Sequence, residues 1–95
     1  MLKYNAQLQK KIEDIFGELN YTIRYEKGNF NSGYCVLEHK KVVVINKFHS
    51  LEAKIGALME IVQQIDVDRS VLSSESNDLL SRIQVEKAAD LFTQA

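Results

Sequence analysis

The chain has 95 residues, 45% of them hydrophobic and 26% charged, which is enough for one core and no second. Its 12 Lys and Arg against 13 Asp and Glu leave a formal net charge of −1, so no positive surplus draws it to nucleic acid or anionic lipid. A single cysteine excludes an internal disulfide and a Cys-rich zinc site, and the absence of Pro favours uninterrupted helices and strands.

The N-terminal run "MLKYNAQLQKKIED" has no apolar stretch of the kind a secretory signal needs. No later run approaches the roughly 20 apolar residues of a membrane span, so a cytoplasmic protein that does not meet a membrane is expected. Residues 2–19 predict a helix, with Leu8, Ile12, Ile15, Phe16 and Leu19 at helical spacing and Asn20 able to take a left-handed cap. "YTIRYE", 21–26, alternates and predicts a half-buried strand. "KGNFNSG" predicts a turn region, in which Gly28 and Gly33 are free to take positive φ.

"YCVLEHKKVVVINK", 34–47, predicts a hairpin turning around Glu38 to Lys41. Val42 to Ile45 are apolar at every position, as in a strand covered on both faces. Ser50 is placed to cap a helix over 51–65, where Leu51, Ile55, Leu58, Val62 and Ile65 form the apolar stripe. Gly56 inside that helix costs about 1 kcal/mol against Ala, so close packing on the sheet is expected there. A polar connection, 66–74, leads to a last helix over 75–92 capped by Ser74, with a less regular pattern of Leu79, Leu80, Ile83, Val85, Ala88, Ala89 and Phe92.

Helix, grouped strands, then two helices make a single α+β domain over 1–95: an N-terminal helix, a three-stranded antiparallel meander and two C-terminal helices. The first two helices can cover one sheet face. The other face is apolar too, so either the last helix wraps round it or a second copy does. The sheet also leaves two edges. The expected partner is therefore a second copy, as a homodimer, or another protein, met through the sheet face or edge.

The second helix contains "ALMEIVQQ", with Met59-Glu60-x-x-Gln63. In a zinc peptidase helix, His-Glu-x-x-His places two imidazoles one turn apart on the metal, and the glutamate deprotonates the metal-bound water. Strands that end in "VVVIN" after a "GYC" lead-in, followed by this helix, resemble the ImmA/IrrE-type metallopeptidases of bacteria and phages over roughly residues 20–65; short bacterial proteins are similar as well. The resemblance implies a metallopeptidase-like scaffold. This chain departs from it at both ligand positions, Met59 and Gln63, whose thioether and amide are poor zinc ligands. No metal or other cofactor is expected. With the apolar stripe centred near Leu51, Ile55 and Val62, Glu60 lies nearly opposite and faces solvent, while Met59 fills core.

Cys35, His39 and His49 are the remaining candidates for chemistry. Cys35 and His39 are separated by roughly 13 Å of extended chain, too far to share a metal. A nucleophile and base pair requires Cys35 and His49 to meet in space; the simpler reading of Cys35 is inert core. Arg24, Lys40, Lys41 and Lys47 stand near Tyr21, Tyr25, Phe30 and Tyr34, as in a weak binder of single-stranded nucleic acid. Lysines also guard sheet edges, and Glu26 and Glu38 dilute the charge, so nucleic acid is not the expected partner. "KGNFNSG" lacks a phosphate-loop ending, and Asp66-Val67-Asp68 has too few donors for calcium. Phe30 and Phe48 are expected to anchor loops; found exposed together they would mark a partner surface. The function expected is a non-enzymatic protein-interaction or regulatory module. The alternatives are a small hydrolase using Cys35 and His49 or Glu60, or the nucleic-acid binder.

Overall fold

The first helix, α1, spans Ala6–Glu18 because Asn5 stops it from starting earlier: the Asn5 side chain accepts from the Leu8 amide at 2.8 Å. The structure, a computed structural model, describes residues 2–37 and 40–94, with side chains described for 2–34 and 40–86. Residues 2–5 thus precede the helix that the sequence pattern extends over them. Beyond Glu18 the chain leaves through Asn20 at φ 66, the left-handed conformation expected of it.

Three strands follow: β1, Thr22–Glu26; β2, Gly33–Leu37; and β3, Lys40–Asn46. The residues that turn between β2 and β3, 38–39, lie outside the described residues. β2 pairs antiparallel with β3, as a hairpin should. β1, however, pairs with β3 and runs parallel to it, giving the order β1-β3-β2. The antiparallel meander is therefore corrected to a mixed sheet with β3 in the middle. The reason lies in β3 and in the loop before β2. Placed in the middle, β3 pairs along both edges, but its outer face is covered less than its apolar run predicts, with Val42 and Val44 half-buried there. Residues 27–32 are long enough to step over one strand, a displacement of about 10 Å across two inter-strand spacings.

Asn46 fastens that crossover. Its side-chain amide donates to the carbonyls of Gly28 and Phe30, each at 2.8 Å. Its backbone amide donates to Ser32 Oγ at 3.0 Å, and its Oδ1 accepts from the Phe48 amide at 3.0 Å. An asparagine fits because it offers two donors and an acceptor at one buried point.

The helices gather on one sheet face. Val43 and Ile45 are fully buried there, with Ile23 and Tyr25 beside them in register. α1 packs under β1, and α2, Leu51–Gln64, packs under β2 and β3. Tyr25 ties the layers together: its hydroxyl donates to Glu13 and accepts from Gln9 Nε2 at 2.9 Å, both on α1. Burial first, and the bond to Glu13 second, push the Tyr25 phenol up to about 12. The opposite face carries Arg24 and Glu26, ion-paired at 2.8 Å, beside half-buried Val42 and Val44.

The last helix, α3, spans Ser74–Gln94 and packs against α1, so it does not wrap round to the outer sheet face. Its N-cap is Ser73 rather than Ser74: Ser73 Oγ accepts from the Ser76 amide at 3.1 Å. Within the polar connection, Arg69–Val71 form one turn of 3-10 helix, and the Arg69 guanidinium donates to Asn77, Ser81 and Gln84 of α3. Glu18, at the end of α1, accepts from the Ser73 amide at 2.6 Å and from Ser76 Oγ at 2.7 Å. These bonds hold the Glu18 carboxyl below the usual carboxylate range. Leu79, Leu80 and Ile83 then join the common core.

Candidate functional site

α2 starts where Ser50 accepts from the Ala53 amide at 3.2 Å. Helical periodicity then divides its residues. Ile55, Leu58, Met59 and Val62 turn inward and are buried, while Glu52, Ala53 and Glu60 are exposed. The outward flank of α2 and the start of β2 form the two walls of an open surface groove. Ala53, Gly56, Ala57 and Glu60 line it on the helix side, and Ser32 and Gly33 on the strand side. His49 also lines it, and so does Gln64, about 16 Å along the helix from Ala53.

Two of the three candidate residues, His49 and Glu60, border the same groove, but roughly 13 Å of helix, from Leu51 to Glu60, lie between them. Cys35 lies two residues along β2 from Gly33, and its backbone pairs with Val42. The Cys35 side chain and the whole of His39 lie outside the described residues. The positions that would carry ligands in a metallopeptidase helix do not face the groove with Glu60. Met59 is 6% exposed, in the core, and the Gln63 amide donates back to the Met59 carbonyl at 3.1 Å. Among the described residues, no group of three or more His, Cys, Asp or Glu is close enough to hold a metal ion. The groove presents one carboxylate, one imidazole and the apolar Ala53, Ala57 and Ile61 beside the start of β2.

Arg24 and Lys41 fall on opposite sheet faces. Arg24 pairs with Glu26 on the outer sheet face. The Lys41 ammonium sits 5.5 Å from the Tyr21 ring centroid and the Lys54 ammonium 5.9 Å from that of Tyr25, both aromatics of the helix-covered face.

Two residues stand differently from their sequence-based expectation. A Cβ built on Gly56 meets nothing within 4 Å, so this glycine is not there for close packing within the chain; it opens onto the groove. Phe48 is 69% exposed and anchors nothing, whereas Phe30 is half-buried. Asn46 and the open edge of β2 carried no readable signal, because both depend on strand order. Among the described residues, no helix is long and apolar enough to cross a membrane. No family model, curated protein or solved structure matches this chain.

Proposed function

We propose that this protein is a non-enzymatic interaction module that holds an extended segment of a partner protein along the edge of β2, above the flank of α2. The observation that carries this reading is the contrast between the two sheet edges. β1, "TIRYE", places Arg24 and Glu26 on its edge, the usual guard against unwanted pairing. β2, "GYCVL", has neither a charge nor a proline along its length, and it borders an open groove. An added strand would satisfy the free backbone groups of β2, and alternate side chains would descend toward α2. Gly56 and Ala57 leave room for them. Glu60, the groove's one carboxylate among the described residues, favours a Lys or Arg on the incoming segment.

Selection from a displayed library of random peptides, followed by anisotropy with the selected peptides, tests the reading. Gly56→Arg is the discriminating variant. Its Cβ has free space and arginine is the better helix former, so folding is retained and the melting temperature holds or rises. Its side chain fills the groove, and binding is expected to fall by at least about tenfold. Failure to select any peptide, or peptides indifferent to Gly56→Arg, overturns the proposal. The presence of His49 and Glu60 along one groove gives a second reading, a small hydrolase, and the same experiment separates the two: a module releases the peptide intact, a hydrolase cuts it.

A further inference from the structure

We infer that Phe48 is a fixed anchor for an apolar side chain of that same partner segment, lying just past the residues that pair with β2. The inference rests on the reading of the β2 edge as a docking site and adds to it the partner's pattern. Phe48 sits in the connection between β3 and α2, exposed over 69% of its surface. A single exposed apolar residue needs no explanation in itself. Two observations set this one apart.

The first is that its backbone is held. The Phe48 amide donates to Asn46 Oδ1 at 3.0 Å, and the His49 amide to the Asn46 carbonyl at 3.2 Å. Asn46 is in turn buried and tied to Gly28, Phe30 and Ser32. The ring is thus presented on a turn that is already ordered, so a partner that packs on it meets little entropic cost of fixing the loop. The second is continuity. Asn31 and His49 border both the groove along α2 and the surface around Phe48 and Phe30. The aromatic ring therefore extends the groove past the Gly33 end of β2. Aromatic side chains, Phe among them, are enriched where partners pack together, and a few such residues carry most of the binding energy once covered.

The geometry fixes where the matching side chain falls. β2 starts beside the end of β3 that leads to Phe48 and runs away from it, since Gly33 pairs with Val44 and Leu37 with Lys40. A segment paired antiparallel to β2 reaches Phe48 with its C-terminal end, and a parallel one with its N-terminal end. The partner is therefore an extended stretch of β-forming residues with a cationic side chain above Glu60 and an apolar residue about two positions beyond the paired stretch.

The test uses the peptides selected on the wild-type protein. Phe48→Ala is expected to weaken their binding about tenfold, with the melting temperature unchanged, and Phe48→Leu to keep it within about threefold. Replacing the peptide's terminal apolar residue with Ala should cost as much on the wild type and add little on Phe48→Ala, because the two residues share one contact. Peptides that bind Phe48→Ala as well as wild type, while still losing to Gly56→Arg, overturn this inference and leave the docking site standing. If no peptide is selected, or Gly56→Arg has no effect, both fall together.

Discussion

One asparagine fastens the crossover that carries the chain from β1 to β2. The partners of Asn46 lie 16 and 18 residues upstream in Phe30 and Gly28, and all three bonds of its side chain are made in a buried setting. Asn46→Ala leaves the carbonyls of Gly28 and Phe30 without their donor and should cost about 2–4 kcal/mol in urea unfolding. Asn46→Asp should cost more at neutral pH, since a carboxylate then faces two carbonyl oxygens. That repulsion raises the folded-state pKa of the new Asp above its unfolded value. The protonated form is the tolerated one, so the variant should approach wild-type stability in acid and lose it as pH rises. An aspartate variant as stable as wild type at neutral pH would mean the crossover is held by something else. The sequence displays Asn46 only as the last letter of "VVVIN"; its distant partners are invisible to any local pattern. Glu60 and Met59 were legible, by contrast, because helix periodicity alone assigns one to solvent and the other to core.

At the scale of elements, local chemistry carried most of what could be read. The helix caps at Ser50 and the left-handed exit at Asn20 follow from residue type, and the apolar stripes of α1 and α2 from spacing. The choice between Ser73 and Ser74 as the cap of α3 was not legible, since adjacent serines offer the same hydroxyl. Glu18 resolves it by reaching across from α1 to the Ser73 amide and the Ser76 hydroxyl. Those bonds depress the Glu18 pKa, so their contribution to stability is present above the unfolded carboxylate value. It is lost as pH falls through the lower folded value. Glu18→Gln should lower the melting temperature at neutral pH, and the gap to wild type should close in acid. An equal gap at all pH values would show that the carboxylate's charge contributes nothing to holding α3. Strand order was the element-level failure. The four consecutive apolar residues from Val42 to Ile45 bear on how the faces of a strand are covered and not on which strands pair at its edges, so the central place of β3 could not be read from them.

For the molecule as a whole, the question is whether it meets a second copy, and by which surface. Among the described residues, the outer sheet face, which is free of α3, carries Val42 and Val44 between the polar Thr22, Arg24 and Glu26, whereas a stable dimer buries about 800 Å² per partner. The β1 edge is guarded by charge. The β2 edge is left, and two copies joined there by a two-fold axis would build a continuous six-stranded sheet, β1-β3-β2 and its mate. Self-association and peptide binding then compete for the same backbone groups. Sedimentation at rising concentration should reveal a dimer, and saturating amounts of the selected peptides should return it to monomer. Val42→Thr and Val44→Thr, which make the outer face polar while keeping its shape, should leave the dimer intact. A dimer that these two substitutions dissolve, and that peptide leaves untouched, would place the interface on the sheet's face and free the β2 edge for the partner alone.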